Sequence, residues 1–410
     1  MTDGSHLNTL ISEAATPELP SLVKSDGTPM TVLQVVPAMD SGGVERGTLD
    51  MAKAIIEAGG KAIVASKGGQ LVARLKIAGA EHVELPVHSK NPWTMWRNTG
   101  RLARLIKDRG VDLVHARSRA PARPAHRAAR KTGVPFVTTV HAPYNINNGL
   151  KRYYNSIMTK GDVVISISEF VADYIRKNYQ VDESKIRIVH RGMDTDSFSP
   201  HAVSAERVIQ LSTQWRLPDG VPLIMLPGRL TRWKGQKVLL EALTHLRDID
   251  LCCALVGSDQ GRTAYRDELE KMIMDNDLLS RAFIMDDCND MPSAYMLSDV
   301  VVSASTDPEG FGRVVSEGQA MGRPVVASDH GGAKEQLVPN ETGFLFENGD
   351  AESCARAIRR ALSLNARERE ILSRKGQERV QQFFTKKLMC AKTVGIYHEL
   401  ISEKEIIAQS

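Results

Sequence analysis

Short apolar segments alternate with longer segments of helical periodicity along most of the chain, and this alternation constrains the fold more than any other feature. Helical patterns such as 47–58 and 96–109 separate the apolar segments. Buried strands that alternate with helices are typical of a parallel sheet that is covered by helices on both faces. In the first half, the apolar segments are residues 31–37, 61–66, 113–116, 136–140, 163–168 and 186–189.

The alternation pauses near residues 197–220 and then restarts. Residues 197–215 are polar and weakly periodic, and a Pro-Asp-Gly turn follows at 218–220. The later apolar segments are 223–226, 251–256, 282–285, 300–303 and 324–327. We therefore expect two doubly wound α/β domains. The expected boundaries are a polar, flexible tail over 1–29, a first domain over 30–205, a second domain over 206–385 and a C-terminal helix over 386–410.

Composition narrows the class of protein. The 410 residues are 42% hydrophobic and 25% charged, which excludes collagen-like, coiled-coil and wholly disordered chains. No apolar run approaches the length of about 18 residues that a membrane-spanning helix needs, and we expect no secretory signal. The five cysteines form no C-x-x-C pair, which favours reduced thiols in a cytoplasmic protein over disulfides or a zinc site.

Basic residues are concentrated in residues 90–152. This region has fourteen Lys or Arg and two acids, a balance of +12, whereas the whole chain carries only +4. Such a region typically faces phosphate, nucleic acid or an anionic membrane surface. Two solvated helix faces would produce the same composition. Trp93 and Trp96 are three residues apart and could anchor to lipid headgroups, but we expect them to pack within the protein.

Gly42 and Gly43 follow the first apolar segment and precede a helical pattern. Ligands of open α/β sheets bind beyond the carboxyl ends of the strands, and glycines let backbone amides approach an anion closely at a helix N-terminus. The spacing is not G-x-G-x-x-G, which argues against a nicotinamide-type fingerprint. The pair is by itself a weak signal.

The second half contains a sharper constellation. Arg229 and Lys234 lie five residues apart beside glycines, which suits a diphosphate because Arg offers a bidentate fork and Lys a point charge. Further along, Glu309 and Glu317 form an E-x7-E pair between a strand and a helix. The amides of residues 312–314 would form a helix N-terminus able to receive phosphate. One acid could therefore meet a sugar and the other a ribose.

Together these motifs resemble family 4 of the retaining glycosyltransferases over roughly residues 31–385, because their order and spacing match. The resemblance implies the GT-B fold, with two doubly wound, Rossmann-like domains facing a central cleft and a C-terminal helix that crosses back to the first domain. The matching motifs are GGVE at 42–45, VH at 140–141, SIS at 166–168, GR at 228–229, KG at 234–235, EGFGRVVSE at 309–317 and GG at 331–332.

The resemblance also implies roles for these residues. Arg229 and Lys234 would bind the donor diphosphate, Glu309 the donor sugar and Glu317 the nucleotide ribose. Backbone amides for sugar and phosphate would come from Phe311, Gly312, Arg313 and Val314. The residues expected in catalysis are Glu309, His141, Arg229 and Lys234.

The first domain would contribute Gly43 to the donor and His141 beside the sugar. It would also receive the acceptor, and the chain departs from the family pattern there. Many members have His-x-His where this chain has His-Ala-Arg at 115–117, and an Asn-Gly pair where it has Arg-Gly at 191–192. An arginine pair could face an anionic acceptor. The acceptor candidates are Gly42, Glu45, Arg117 and Arg119.

Simpler interpretations exist for several of these residues. A lone acid such as Glu317 is ordinarily a surface residue, and a histidine such as His141 at a strand end is more often structural than catalytic. The order of the motifs favours the functional interpretation for both. Asp194 and Asp196 resemble a D-x-D metal motif, but two acids in a turn are common, so we expect no metal there.

We therefore expect a retaining glycosyltransferase that moves a hexosyl unit from a UDP- or GDP-sugar to a glycan or lipid-linked acceptor in cell-envelope polysaccharide or lipopolysaccharide synthesis. It would be cytoplasmic, and it could lie on the anionic inner face of the plasma membrane. No other cofactor and no nucleic-acid partner is expected. Two alternatives remain open: a nucleotide-sugar epimerase on the same fold, and a non-catalytic protein that binds anions or nucleic acids through residues 90–152.

Overall fold

Two parallel sheets organise the protein. The structure is a computed structural model and describes residues 18–40, 42–218 and 220–409. The described residues form two compact units, one of residues 18–192 with 386–409 and the other of residues 193–385. Each unit has one sheet whose strands all pair in parallel, as the alternation of apolar and helical segments predicts.

The first unit contains a seven-stranded sheet in the order β3-β2-β1-β4-β5-β6-β7. Its strands are β1 (Thr31–Val35), β2 (Lys61–Ser66), β3 (Glu81–Glu84), β4 (Leu113–Ala116), β5 (Phe136–Val140), β6 (Val163–Ser166) and β7 (Ile186–Ile188). Its first helices are α1 (Gly43–Glu57), α2 (Val72–Ile77), α3 (Pro92–Asp108), α4 (Arg119–Thr132), α5 (Gly149–Asn155) and α6 (Glu169–Asn178).

The second unit contains a six-stranded sheet in the order β10-β9-β8-β11-β12-β13. Its strands are β8 (Leu223–Pro227), β9 (Cys252–Val256), β10 (Ala282–Met285), β11 (Val300–Ser303), β12 (Val325–Ser328) and β13 (Phe344–Phe346). Its helices are α7 (Ala205–Trp215), α8 (Gln236–Thr244), α9 (Thr263–Asp275), α10 (Met291–Leu297), α11 (Arg313–Ala320), α12 (Ala333–Gln336), α13 (Ala351–Leu362) and α14 (Ala366–Phe383). Short 3-10 turns lie at Ser156–Thr159, Glu183–Lys185, Pro200–Ala202 and Arg232–Lys234.

The strand order reverses once in each sheet, and this reversal positions the functional loops. In the first sheet it lies between β1 and β4, where Val32 is opposite Leu113, and in the second between β8 and β11, where Ile224 is opposite Val300. Helices that follow the two central strands run to opposite faces of the sheet, so a crevice opens beyond the carboxyl ends of these strands. The candidate residues after β1, β4, β8 and β11 all lie at such a point.

Helix α15 (Lys386–Gln409) belongs to the first unit, as the expected crossing-back helix should. It packs against α1 and β4 and buries Met389, Cys390, Val394 and Tyr397 in the core of that unit. The chain enters and leaves the second unit at adjacent points, because the Met193 amide donates to the Phe384 carbonyl over 2.9 Å. No helix of the described residues is both long and apolar enough to span a bilayer.

The prediction of a flexible tail over residues 1–29 is wrong for residues 18–29, the part of it that the structure describes. Residues 1–17 lie outside the described residues, but the chain from residue 18 onwards is packed. Leu22 is fully buried and its amide donates to the Ala58 carbonyl, and Lys24 forms an ion pair with Asp112 over 2.6 Å. The segment continues into β1, so its apolar residues are part of the first core.

Three other features differ from the expectations. Residues 205–215, whose periodicity is weak, form the helix α7. The strands β3 and β13 at the sheet edges were not predicted, and β3 gives no apolar pattern because Val83 is its one apolar residue. The expected packing of Trp93 and Trp96 is wrong, since these side chains are 65% and 62% exposed on α3.

Candidate functional site

The loops that follow β8 and β11 meet through an ion pair. Lys234 Nζ lies 2.7 Å from Glu309 Oε1, and the two side chains are only 13% and 17% exposed. The Ser305 hydroxyl donates to the same carboxylate oxygen. Lys234 Nζ also lies 4.5 Å from the centre of the Trp233 ring. Two residues predicted from separate motifs are therefore direct partners.

The close approach of these loops requires a glycine next to the lysine. Gly235 has φ of +73°, and a Cβ atom there would lie 1.7 Å from the carbonyl oxygen of Ala304. An L-amino acid is both strained in this conformation and too large for the space. The Lys-Gly sequence is thus explained by packing as well as by charge.

Arg229 has a more open position than Lys234. Its side chain is exposed, and its Nη1 lies 3.4 Å from Gln260 Oε1. Its backbone is held by Gln236, whose Nε2 donates to the Arg229 carbonyl over 2.9 Å. A fixed backbone with an exposed guanidinium suits the binding of an incoming anion.

The loop from Glu309 to α11 presents backbone amides. Gly312 adopts φ of +80° and ends the loop, and Arg313 begins the helix. The Arg313 and Val314 amides have no intrahelical partner, so this N-terminus can receive an anion. Phe311 is buried with its ring edge-on to Phe384 at 5.4 Å, so its side chain is a packing group.

Gln336 holds this loop in place and was not predicted. Its Nε2 donates to the carbonyls of Phe311, Gly312 and Gly332, and its Oε1 accepts from the Ser316 amide over 3.1 Å. The side chain is fully buried. The only signal in the sequence is its position just after the second glycine pair, and that pair also packs on the loop, since the Gly332 amide donates to the Glu309 carbonyl over 2.9 Å.

Glu317 is buried, with 7% of its surface exposed, so the interpretation as an ordinary surface acid is wrong. The Tyr295 hydroxyl donates to Glu317 Oε2 over 2.8 Å, and Arg313 Nη1 lies 3.7 Å from Oε1. Burial, and then the charge of Glu317, raise the pKa of Tyr295 well above its ordinary value, so the tyrosine remains a donor. Tyr295 was not predicted, because it lies in a different segment of the chain.

At the carboxyl edge of the first sheet, Gly42 and Gly43 begin α1. Gly42 is the extended N-cap residue, and a Cβ there would lie 2.2 Å from Glu45 Oε2, so this carboxylate folds back over the helix N-terminus. Arg191 Nη2 donates to the Gly43 carbonyl, and a Cβ on Gly47 would lie 2.5 Å from Arg191 Nη1. The arginine that departs from the family pattern therefore braces the glycine loop.

Arg117 and Arg119 have different surroundings, although they are two residues apart. Arg117 is 4% exposed, its Nη1 lies 3.5 Å from Gln34 Oε1, and its buried Nε has no partner among the described residues. Arg119 donates to Asn155 Oδ1 over 2.9 Å and stacks 4.5 Å over the Tyr144 ring. The two guanidiniums belong to different contact networks.

His141 directly follows β5, as Arg117 directly follows the adjacent strand β4. Burial, followed by the positive charges of Arg117 and Arg191, lowers the pKa of His141 well below its ordinary value. The ring is therefore neutral at pH 7. Its buried Nε2 has no hydrogen-bond partner among the described residues.

Behind Arg117 lies a contact with the crossing-back helix. His115 Nδ1 is 2.5 Å from the Tyr397 hydroxyl, and His115 Nε2 is 2.7 Å from the Thr139 hydroxyl. Burial lowers the pKa of His115 well below its ordinary value and raises that of Tyr397. His115, which occupies the first position of the His-x-His pattern, therefore has a structural environment. Tyr397 could not be inferred, because its partner lies 282 residues away.

The turn at Asp194 and Asp196 shows ordinary turn chemistry, with the Asp196 amide donating to Asp194 Oδ1 over 3.3 Å. Within the part of the chain that the structure describes, no group of three or more His, Cys, Asp or Glu could hold a metal ion.

Two family models match the chain. The model described as Glycosyltransferase Family 4 matches residues 41–197, and the model described as Glycosyl transferases group 1 matches residues 209–379. The two matched regions contain the candidate residues of the first and second units respectively.

Solved structures and curated proteins that are similar to this chain agree with the two family models. A glycosyltransferase from Rickettsia africae ESF-5 is 39% identical, with a TM-score of 0.85 over 91% of this chain and 99% of that chain. Anabaena HepE in complex with UDP and glucose is 20% identical, with a TM-score of 0.77 over 90% of this chain and 100% of that chain, a likeness of fold. The D-inositol 3-phosphate glycosyltransferase of Xylanimonas cellulosilytica is 28% identical over 254 residues, which are 58% of this chain. The match covers 60% of the length of that curated relative.

Proposed function

The chain belongs to glycosyltransferase family 4, and on this premise we propose that it moves a hexosyl unit from a UDP- or GDP-sugar to a glycan or lipid-linked acceptor, with retention at the anomeric carbon. The observation that carries the proposal is the contact between Lys234 and Glu309 beside the α11 N-terminus. A cation, an acid and free helix amides at one sheet edge are what a sugar diphosphate needs.

Binding of the donor would break this ion pair and give each of its two residues a new partner. Lys234 would turn from Glu309 to the diphosphate, joined by Arg229 and the amides of Arg313 and Val314, and these groups would stabilise the negative charge that develops on the leaving nucleoside diphosphate. Glu309 would then accept hydrogen bonds from the sugar hydroxyls. Glu317, held by Tyr295, would accept from the ribose.

Retention would follow from a same-face reaction. The bond between the anomeric carbon and the diphosphate oxygen breaks, the acceptor oxygen attacks from the same face, and the leaving phosphate takes the acceptor proton. Glu309, which accepts from the Ser305 hydroxyl, would bind the sugar hydroxyls in this reaction and would not attack the anomeric carbon. Neutral His141 would contact the sugar without adding a charge.

The names of similar proteins support the donor and the acceptor classes. HepE was solved with UDP and glucose, which favours a UDP-sugar, and the Xylanimonas relative is named for D-inositol 3-phosphate, a phosphorylated acceptor. The +12 balance of residues 90–152 would suit such an anionic acceptor or a lipid-linked one. We propose a role in cell-envelope polysaccharide or lipopolysaccharide synthesis at the inner face of the plasma membrane.

The test is release of nucleoside diphosphate from a panel of UDP-, GDP- and ADP-sugars. Slow release from one donor, unaffected by EDTA and lost in Lys234→Ala, is the expected result. Lys237→Ala is the matched control, because Lys237 lies three residues away and pairs with Glu268. If the folded protein binds no nucleotide sugar, the transferase proposal is wrong.

A further inference from the structure

The outward face of α3 carries two exposed tryptophans. The Trp93 and Trp96 rings stack with their centroids 5.1 Å apart, although most of each side chain is exposed. The opposite side of the helix buries Leu102, Leu105 and Ile106 in the first unit. Paired indoles that the fold leaves exposed mark a surface for another partner.

Basic side chains continue along the same face. Positions 93, 97, 100, 104 and 107 are spaced by three or four residues, so they lie on one side of the helix. Arg97, Arg104 and Lys107 are exposed, and among the described residues none of them forms an ion pair. The one acid of the helix, Asp108, lies at its C-terminal end.

The neighbouring helix extends this charge. Helix α4 packs beside α3 and adds the exposed residues Arg127 and Lys131, which form no ion pair among the described residues either. The combined surface is therefore aromatic at one end of α3 and cationic along the rest.

We propose that this face of α3 docks the protein on an anionic lipid surface. Cations near such a surface each strengthen binding about fivefold, and tryptophans settle at the headgroup level, where the ring is half buried and its N–H stays hydrated. The two rings already stack on each other, so they cannot enclose a sugar or a base between them. The proposal deepens the proposed function, on which it rests for its lipid-linked acceptor.

The test uses the full chain and vesicles of phosphatidylcholine alone or mixed equally with phosphatidylglycerol. We expect sedimentation with the mixed vesicles only, weakening as salt is raised because salt screens the cations. Brominated phosphatidylcholine in the mixed vesicles should quench tryptophan fluorescence, since Trp93 and Trp96 would lie at the interface.

Two double variants test the contributions of the tryptophans and of the arginines separately. Trp93→Ala with Trp96→Ala should abolish most of the quenching, and Arg97→Glu with Arg104→Glu should weaken vesicle binding by more than about tenfold. Matched controls lie on other surfaces: Arg367→Glu with Lys404→Glu for charge, and Ile209→Ser with Leu279→Ser for exposed apolar residues. Both control proteins should bind as the wild type does.

Equal binding of the α3 variants and the wild type would overturn the proposal. So would equal binding to both vesicle types, or a fluorescence shift with a soluble acidic polysaccharide or RNA and none with vesicles. Donor hydrolysis by the same preparations separates the two proposals. If the protein binds vesicles but hydrolyses no donor, only the proposed function is wrong. If it hydrolyses a donor but does not bind vesicles, only the docking surface is wrong.

Discussion

Glu309 is the counter-ion of Lys234, with a carboxylate oxygen 2.7 Å from the ammonium nitrogen, although the two residues are 75 positions apart on different loops. The positive charge of Lys234 and the negative charge of Glu309 therefore neutralise each other. A donor diphosphate must therefore compete with Glu309 for the lysine, and the released carboxylate becomes available to the sugar.

Glu309→Gln should separate nucleotide binding from turnover. The amide keeps the size of the side chain but no longer holds Lys234 as a salt bridge, so the lysine is freer to bind phosphate. We expect UDP or GDP to bind as tightly as in the wild type, or more tightly, while kcat falls by about 100-fold. Calorimetry and nucleotide release measure the two quantities. Weaker nucleotide binding in this variant would show that the pair preorganises the lysine and does not compete for it.

Tyr295→Phe should expose the dependence of Glu317 on one hydrogen bond. Losing a buried hydrogen bond to a charged group costs about 1.5–3 kcal/mol, so the free energy of unfolding should fall by that amount. The KM for the donor should rise more than kcat falls, because Glu317 is expected at the ribose. Tyr265→Phe is the control, since its hydroxyl bonds the neutral Gln236 over 3.2 Å. If the two variants lose equal stability, Glu317 is not held by a charge-assisted bond.

Gln336→Leu should be among the more damaging single changes in the second unit. It leaves three carbonyls and the Ser316 amide without their partner, at a cost of about 1–3 kcal/mol for each buried unsatisfied group. Thermal unfolding should report a clearly lowered midpoint. Gln377→Leu, which removes a single bond to the Ala320 carbonyl, should shift it much less. A small effect of Gln336→Leu would mean that the loop before α11 keeps its shape without this side chain.

Stability should fall as the pH drops below the unfolded histidine pKa of about 6.5. The pKa values of His115 and His141 are well below 6.5 in the folded state, so the unfolded chain binds more protons in acid and folding loses free energy as the pH falls. Each histidine should contribute a slope of up to about 1.4 kcal/mol per pH unit below that value. Denaturant unfolding between about pH 5 and 7 measures it. A His141→Asn variant should show a shallower slope than the wild type, and an unchanged slope would mean that His141 is protonated in the folded protein.

The alternation of apolar and helical segments was sufficient to predict eleven of the thirteen strands that the described residues form. Most of the predicted segments are rich in Val, Ile or Leu, and these residues are buried on both faces of a parallel sheet. The strand β3 reads EHVE and is only half-buried at a sheet edge, so it carries no such signal. Helix α7 was missed because only Leu211 in it is buried, and one buried residue produces no period.

The motifs were sufficient to place Lys234, Glu309 and Glu317 near a sheet edge, because a strand followed by a glycine turn is a local signal. The side chains that hold them were not predictable. Tyr295 and Gln336 are ordinary polar residues in their own segments, and their function depends on contacts with residues 22 and 20 to 25 positions away. The burial of Arg117 was equally unpredictable from its charge, and its assignment to the acceptor stays a prediction.

The return of α15 to the first unit has a consequence for biosynthesis. Met389, Cys390, Val394 and Tyr397 fill the core of a unit whose other residues end at position 192. The ribosome must therefore make the entire second unit before the first can bury its apolar surface. Domains usually fold in the order of their synthesis. Here residues 193–385 can complete their core first, while the apolar face of the first unit that α15 covers stays exposed in the nascent chain.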